Sequence, residues 1–488
     1  MRDFLKSVAV ISAGGIVSKI IGVFYRIPLS NLLGGYGMGL YQMAYPFFCL
    51  LLTFSSVGIP SALSRIVAEE EAKGRNAQST LKTALRLFSV LGLTGTALML
   101  LFADRMSALQ GAPLALSYRL LAPSVFLVAL IAVLRGYFQG KNDMTPTAVS
   151  EMIEQLTKAA AGLYFAAKFA SDPPKAVAYT LFAVTLSEAA ALALLLLRLR
   201  GRPVRAELAP RRTESGRLLA AVLPVMAATS LLPLSQTVDS VMIVRLMSGY
   251  TDNAVALYGL FTGGALALVN LPATACYGLA AASVPAVSGY FAKGETEKGR
   301  KSILRAVLFT LGLSVPCALG LFFLAKPIVS LLYPSLAASE SATLISLLKT
   351  CSLSAVTLAG TDTLAACLTG MGRAKQAAKS MGIAVLIKFA LQWLLVRNPA
   401  LSVTGAAISA NACYLVAFFL DLFYTVRKDK CRKRSKRNDY GRRSWNSRRR
   451  AVVEGTCRLE EGAEGVGAQC VSRQRDSERR GDFLSNAR

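Results

Sequence analysis

Three charged side chains lie within an apolar stretch, and their spacing is that of one helical face. In RGYFQGKNDMTPTAVSEMIEQLTKA, residues 135–159, Glu151, Glu154 and Lys158 are separated by three and four positions. Such spacings place side chains on one side of a helix, and Glu four residues before Lys is the favourable order for an ion pair. We therefore expect Glu154 and Lys158 to pair, either in a stripe that faces a wet interior or in a purely stabilising contact with Glu151 among the lipid headgroups. In the first reading the stripe binds and releases Arg65 or Arg135.

A second set of charges lies in the first apolar block. Lys19 and Arg26 are seven residues apart and therefore lie on one helical face. Lys and Arg bind phosphate oxygens through charge-assisted hydrogen bonds, so this face predicts a cationic cavity for the diphosphate of a lipid-linked sugar. The alternative is that both side chains extend to the headgroups, which is easier for Arg26 than for Lys19 near the middle of the block.

Other ionisable residues stand alone in apolar blocks, among them Asp239, Glu188, Asp362 and Lys388. A charge at the centre of a membrane span costs about 3 kcal/mol on insertion scales, so such residues are functional candidates. We assign the substrate cavity to Lys19, Arg26, Glu154 and Lys158. We assign gating or coupling to Arg65, Arg135, Glu151, Asp239, Asp362 and Lys388.

The elements that must position these side chains are long apolar helices. The chain has 488 residues, of which 53% are hydrophobic and 17% charged. Its apolar blocks have about 20 residues, the length that crosses a bilayer core. The blocks predict about twelve spans, at 4–33, 38–62, 81–103, 114–138, 146–168, 175–197, 217–246, 254–290, 303–325, 342–370, 379–396 and 402–425. The sequence thus predicts an all-α polytopic membrane protein.

The basic residues predict how the chain is oriented. The formal net charge is +27, but Lys and Arg collect between the apolar blocks and in the tail, which indicates a membrane surface and not a nucleic acid as partner. Alternate loops, such as SGYTDNA and YPSLAASESA, have almost no Lys or Arg and are expected on the membrane side opposite the basic loops. The positive-inside rule then places both termini in the cytoplasm, in a multi-pass protein of the cytoplasmic membrane. No cleavage-site pattern follows MRDFLK, so we expect the first block to be retained.

The two halves of the chain repeat each other. LYQMAYPFFCLLL and SALSRIVAEEEAKGR in the first half correspond to LYGLFTGGALALV and PAVSGYFAKGETEKGR in the second. RGYFQGKNDMTPTAVS corresponds loosely to CLTGMGRAKQAAKS. Six spans in each repeat give two like-oriented lobes around a central cavity, the architecture of alternating access. We predict lobes at 1–200 and 217–426, a basic cytoplasmic linker at 201–216 and a basic, disordered cytoplasmic tail at 427–488. The tail either contacts anionic membrane lipids or, in the reading that we favour, is solvated and dispensable for transport.

Three segments resemble a known family. SKIIGVFYRIPLSNLLG, RGYFQGKNDMTPTAVSEMIEQLTKA and LPLSQTVDSVMIV are similar to segments of the stage V sporulation protein B family, which is related to MurJ-type lipid II flippases and, more distantly, to multidrug exporters. The resemblance covers roughly residues 1–427. It implies a flippase that moves undecaprenyl-linked cell-wall precursor, such as lipid II, outward by alternating access, here for the spore cortex. We expect the protein to act as a monomer.

The resemblance also implies a role for two of the isolated charges. Sodium-dependent relatives have a carboxylate on the seventh span, where Asp239 lies, and the fold of the family brings the seventh and eleventh spans together. The eleventh span here has no acid or amide before Gln392, so a sodium site is not predicted. We expect Lys388 to act instead as a tethered cation beside Asp239.

Several functional classes fit the composition poorly. The chain has no histidine, its nine cysteines form no C-x-x-C pair, and it has no G-x-x-x-x-G-K-[ST] motif, so we expect no metal, cofactor or catalytic triad. A cation-coupled drug or polysaccharide exporter of the same superfamily is the alternative function. A membrane glycosyltransferase fits less well, because the one acidic cluster, residues 69–71, lies in a loop that reads as a solvated helix end. A non-transporting scaffold fits less well because it would not need the charged residues within the spans.

Overall fold

The computed structural model describes residues 2–73, 77–200 and 229–427, together with positions 216, 218–220, 222, 223 and 226. The predicted linker 201–216 and tail 427–488 lie almost entirely outside these described residues. The helices are α1 (Arg2–Ser56), α2 (Ile59–Ala72), α3 (Gln78–Gln110), α4 (Ala115–Gly140), α5 (Thr145–Lys168), α6 (Pro173–Arg200), α7 (Leu231–Ser248), α8 (Ala254–Gly259), α9 (Leu266–Ala292), α10 (Thr296–Phe323), α11 (Ala325–Leu332), α12 (Ala338–Gly370), α13 (Ala374–Val396) and α14 (Ser402–Val426).

These helices confirm the predicted all-α polytopic class. Within the described part of the chain, nine helices are long and apolar enough to cross a membrane. One of the nine, Phe24–Ala72, contains the last part of the first predicted span, 4–33, and all of the second, 38–62. Helix α5, with Glu151, Glu154 and Lys158, is outside the nine although it has the length of a span, because charges interrupt its apolar sequence.

Helix α1 consists of two antiparallel arms, residues 2–33 and 35–56. Gly34 has φ 63° and ψ −176°, a conformation that breaks the helix and that glycine adopts without strain. Arg26 and Gln42 lie eight residues on either side of this break, yet both donate a hydrogen bond to the carbonyl of Thr262. In a straight helix they would lie about 24 Å apart, so the chain must fold back at Gly34.

The second arm ends earlier than the sequence predicted. The span expected at 38–62 stops at Ser56, and Gly58, with φ 85°, precedes the separate helix α2. Pro60 lies in the first turn of α2, where its missing N–H costs nothing. Helix α2 then packs beside the end of α4, where Lys141 forms an ion pair with Glu71 at 3.2 Å.

Each lobe closes around glycines that allow helices to approach. In the first lobe, a side chain at Gly140 would meet Val67, so the end of α4 packs tightly on α2. In the second lobe, a side chain at Gly370 would meet the carbonyl of Val284, so the end of α12 packs on α9 in the same way. Small residues permit such close packing between membrane helices.

The lobes contact each other at the end of the molecule where α1 turns. The α1 pair Gly35 and Gly39 lies against Gly259 of the pair Gly259 and Gly263, and a Cβ at Gly259 would come within 2.3 Å of the Gly35 carbonyl oxygen. Gly263 lies against the side chain of Met38. Each pair has the G-x-x-x-G spacing that favours close helix crossing. Nearby, Arg245 donates to the carbonyl of Leu109 at 2.6 Å. We call the four glycines the glycine seam.

Candidate functional site: a polar cavity between the lobes

A cavity of about 300 Å³ lies between the second arm of α1 and the helices of the second lobe. Most of its wall comes from α7, α8, α9, α13 and α14, and α1 supplies the side that belongs to the first lobe. The polar and charged lining residues are Arg26, Gln42, Tyr45, Ser235, Gln236, Asp239, Tyr258, Thr262, Asn270, Lys388, Gln392 and Tyr414. A pocket with this many polar groups in a membrane protein can hold a polar headgroup.

Asp239 and Lys388 form an ion pair in the wall of the cavity. The Lys388 Nζ lies 2.6 Å from Asp239 Oδ2 and donates a second hydrogen bond to Ser235 Oγ at 2.9 Å. The two side chains are 17% and 12% exposed, so the pair is largely withdrawn from water. The structure therefore makes the contact that was expected between α7 and α13. The coupling role of the pair stays a prediction.

Arg26 reaches the cavity from the first arm of α1. Its Nη2 donates to the carbonyl of Thr262 at 3.4 Å, which is a weak contact, and its buried Nε has no hydrogen-bond partner among the described residues. Gln42 Nε2 donates to the same carbonyl at 3.0 Å. Thr262 belongs to a π-helical segment, Leu260–Ala265, between α8 and α9, and such segments recur at functional sites because they release backbone groups.

The charges that line the cavity sum to a positive value in the described part of the chain. Asp239 and Lys388 neutralise each other, which leaves Arg26 as the unbalanced charge. Lys19 was predicted to share the face of Arg26. It lies in α1, but its side chain is outside the described residues, so its place in the cavity stays a prediction.

Glu154 has a different partner from the one expected. Its Oε2 lies 3.0 Å from Arg135 Nη2, and the two side chains are each 16% exposed. Arg135 also donates from Nε to Ser150 Oγ at 3.0 Å. The predicted Glu154–Lys158 pair is therefore wrong for the described side chains. The i,i+4 rule considers one helix alone, whereas α4 packs beside α5 and presents a guanidinium that donates two hydrogen bonds in fixed directions.

Lys158 lies close to acids without forming an ion pair in the described structure. It interacts electrostatically with Glu154 on its own helix, with Glu188 on α6 and with Cys49 on α1. Cys49 also lines the cavity, so Lys158 lies just behind the cavity wall. Glu188 is 6% exposed and was missed as a site residue, because on the sequence it is an isolated acid in an apolar block.

The remaining predicted gate residues lie away from the cavity. Arg65 is exposed and pairs with Glu69, four residues along α2, at 3.1 Å. Glu151 is half-buried near the start of α5 and interacts electrostatically with Arg135. Asp362 is exposed on α12 and does not line the cavity. Of the two bases proposed for the α5 stripe, the structure brings Arg135 to Glu154, and a gating role for these residues stays a prediction.

Comparison with known families identifies the chain. Residues 4–291 match the family described as "Polysaccharide biosynthesis protein", and residues 224–394 match the family described as "MatE". The chain belongs to the polysaccharide biosynthesis protein family. Stage V sporulation protein B of Bacillus subtilis is 29% identical over 84% of this chain and 80% of its own length. Lipid II flippase MurJ of the same organism is 23% identical over 87% of this chain and 82% of its own.

A solved structure supports the two-lobe fold of this member of the polysaccharide biosynthesis protein family. The inward-facing conformation of a multidrug resistance MATE family transporter of the MOP superfamily has a TM-score of 0.71. It is 17% identical, over 86% of this chain and 97% of its own. At this identity the likeness shows the fold, and these relatives are transporters and not enzymes.

In this family member, one correspondence between the two repeats predicts that Lys158 and Glu188 form a site in the first lobe. Gly140 and Gly370 end corresponding helices, and in each repeat a serine follows ten residues later, with a lysine eight residues after it. Lys158 and Lys388 are therefore repeat counterparts on α5 and α13. Because Lys388 has an acidic partner on a neighbouring helix, a search for acids near Lys158 would have led to Glu188. The Thr262 carbonyl had no sequence signal, since it depends on the π-helical segment.

Proposed function

We propose that this protein is a flippase that moves an undecaprenyl-linked peptidoglycan precursor, of the lipid II type, outward across the cytoplasmic membrane. Membership of the polysaccharide biosynthesis protein family and the similarity to stage V sporulation protein B and to a lipid II flippase support this proposal. We place the reaction in synthesis of the spore cortex, and we propose that the protein acts as a monomer with both termini in the cytoplasm.

The observation that carries the proposal is the charge of the cavity. Arg26 is half-buried, its buried Nε has no hydrogen-bond partner among the described residues, and it faces a wall in which the other charges cancel. A diphosphate supplies the acceptor oxygens that such a guanidinium lacks, and the attraction is strong where water is scarce. A cationic drug would meet repulsion at the same place. The cavity therefore favours an anionic headgroup.

A line of side chains on α1 connects Arg26 with the charged group behind the wall. Tyr41 stacks on Tyr45 with ring centroids 5.7 Å apart, and Cys49 follows one helical turn later. Tyr41 interacts electrostatically with Arg26, and Cys49 does so with Lys158. The eight residues from Tyr41 to Cys49 rise about 12 Å along the helix, so we propose that Arg26 and Lys158 contact the headgroup at successive depths.

The contacts between the lobes support an alternating-access cycle. The glycine seam joins the lobes at the end where α1 turns, on the opposite side of the molecule from the basic loops. We propose that this end is the outer gate and that it is closed here. The outward-open state then requires the seam to separate, and Arg135 with Glu154, Arg65, Glu151 and Asp362 change partners at the inner side.

The proposal is tested in a strain depleted of its own lipid II flippases. The protein should restore growth and outward exposure of lipid II, and Arg26→Ala should abolish both while its level in the membrane stays normal. Arg26→Lys should restore part of the activity, because the charge returns without the planar fork. Arg105→Ala, at an exposed arginine of α3, is the matched control. Full activity of Arg26→Ala would disprove the role of the cavity.

A drug exporter is the second candidate, because residues 224–394 match the MatE family. It predicts that cells expressing the protein extrude a cationic dye such as ethidium faster than control cells. We expect no such extrusion from the wild-type protein, since Arg26 repels cations. Dye export by the wild-type protein together with no lipid II exposure would favour the second candidate.

A further inference from the structure

Glu188 is a buried carboxylate that the proposed flippase cavity does not use. Its side chain is 6% exposed on α6, in a part of the lobe where α6 packs against α1, α4 and α5. Among the residues that the structure describes, it has no hydrogen bond and no ion pair. An ionised carboxylate is costly in such a place unless a positive charge or a proton neutralises it.

The groups that face Glu188 come from each of the three neighbouring helices. Tyr45 projects from α1, Arg135 from α4, and Glu154 and Lys158 from α5. Arg135 is already engaged, since it pairs with Glu154 at 3.0 Å and also bonds a serine hydroxyl. Lys158 is the remaining cation, and it lies near Glu188 without reaching ion-pair distance.

The second lobe shows what the same lysine does when it is engaged. Lys388, the repeat counterpart of Lys158, lies 2.6 Å from Asp239 and so neutralises its acid completely. In the first lobe three acids, Glu151, Glu154 and Glu188, interact with two bases, Arg135 and Lys158, so the group has one negative charge that neither base compensates. One more positive charge would therefore neutralise the first-lobe group, whereas the pair of Asp239 and Lys388 in the second lobe is already neutral.

We propose that Glu188 binds and releases a proton, and that this proton and the ammonium of Lys158 are alternative ways of neutralising the same carboxylate. When Lys158 turns toward the cavity, a proton from water binds a Glu188 carboxylate oxygen. When Lys158 comes into contact with Glu188, that proton returns to water. A metal ion is a poorer occupant, because the described residues contain no group of three His, Cys, Asp or Glu side chains placed to hold one.

The link to transport rests on the proposed function. An anionic headgroup that attracts Lys158 away from Glu188 favours the protonated carboxyl, and by linkage protonation favours binding of the anion. Binding of a polyprenyl diphosphate should therefore take up protons from solution. The proton site itself does not depend on this link, so the two can fail separately.

Infrared difference spectroscopy of the purified full-length protein in detergent tests the site without any transport. The wild type should show a protonated carboxyl band that disappears as pH rises and that Glu188→Gln lacks. Glu297→Gln, at an exposed glutamate of α10, should keep the band, and Glu188→Asp should retain a shifted band if Glu188→Gln folds poorly. An unchanged band in a folded Glu188→Gln protein would overturn the proposal.

Proton uptake on ligand addition tests the link. A short-chain polyprenyl diphosphate added to the weakly buffered wild-type protein should raise the pH of the solution, with close to one proton bound per ligand bound. Glu188→Gln should bind the same ligand with no proton uptake. Equal uptake by the wild type and by Glu188→Gln would overturn the link. If the diphosphate does not bind the wild type, the proposed function fails, and the infrared band still decides the proton site.

Discussion

The ion pair between Asp239 and Lys388 offers the most direct test of the cavity wall. Replacing Lys388 with Met leaves the carboxylate of Asp239 without its partner in a place where the side chain is 17% exposed. Breaking a buried pair in this way costs about 3–5 kcal/mol. We expect the lower value, about 3 kcal/mol, because water in the adjoining cavity can solvate the carboxylate.

A double-mutant cycle gives the coupling free energy between Asp239 and Lys388, and it needs two more variants. Asp239→Asn should cost about 2 kcal/mol, since the long side chain of Lys388 can extend into water. The double variant Asp239→Asn with Lys388→Met should also cost about 2 kcal/mol, because it leaves no unpaired charge. Independent effects would sum to about 5 kcal/mol, so the expected coupling energy is about 3 kcal/mol.

Unfolding of each variant in mixed micelles, followed by circular dichroism, measures these free energies. The matched control is Arg119 with Asp104, which pair at 2.8 Å with side chains that are 54% and 69% exposed. An exposed pair should show a coupling energy below about 1 kcal/mol. If the effects at Asp239 and Lys388 add to within about 0.5 kcal/mol, the reasoning about the buried pair is refuted.

Three further predictions concern the inner charges, the outer contact and the coupling ion. Arg135→Glu should abolish complementation, and adding Glu154→Arg should restore part of it because the pair re-forms in reverse; no recovery by the folded double variant would point to separate roles. Gly259→Ala should separate the lobes at the glycine seam, which would be measured as a longer distance between spin labels on the two lobes. Gly320→Ala should leave that distance unchanged, because the Cβ added there meets open space. Transport should be insensitive to replacing sodium by potassium at constant membrane potential, because Lys388 occupies the place of a free cation, and a sodium requirement of the wild type would contradict this.

The fold was largely predictable because apolar length and repeat similarity both act over long stretches. The spans expected at 146–168 and 342–370 match α5, Thr145–Lys168, and α12, Ala338–Gly370, within a few residues. The fold-back at Gly34 was the boundary expected between the first two spans. The end of the second span was wrong, because an apolar run continues past Gly58 while the backbone there is left-handed.

The contacts of the site could be predicted only where the spacing along one helix, or the resemblance to a family, determines which side chains meet. The contact of Asp239 with Lys388 followed from the helices that the fold brings together. The partner of Glu154 did not, because it depends on how α4 and α5 pack. The contact of Arg26 with the Thr262 carbonyl was beyond sequence reasoning, since a π-helical segment has no reliable residue signature.

The repeats also explain why the two lobes should differ in function although they resemble each other in sequence. Lys158 and Lys388 stand at corresponding positions of the two repeats, so each lobe has a lysine at this place. In the second lobe Asp239 engages that cation, and the helices that carry the pair can move as one body without a change of charge. In the first lobe Arg135 engages Glu154, which leaves Lys158 near Glu188 and behind the cavity wall. A transport cycle needs a charged group that binds an internal acid in one state and the anionic substrate in another. In the described structure only the first lobe has such a group, the ammonium of Lys158.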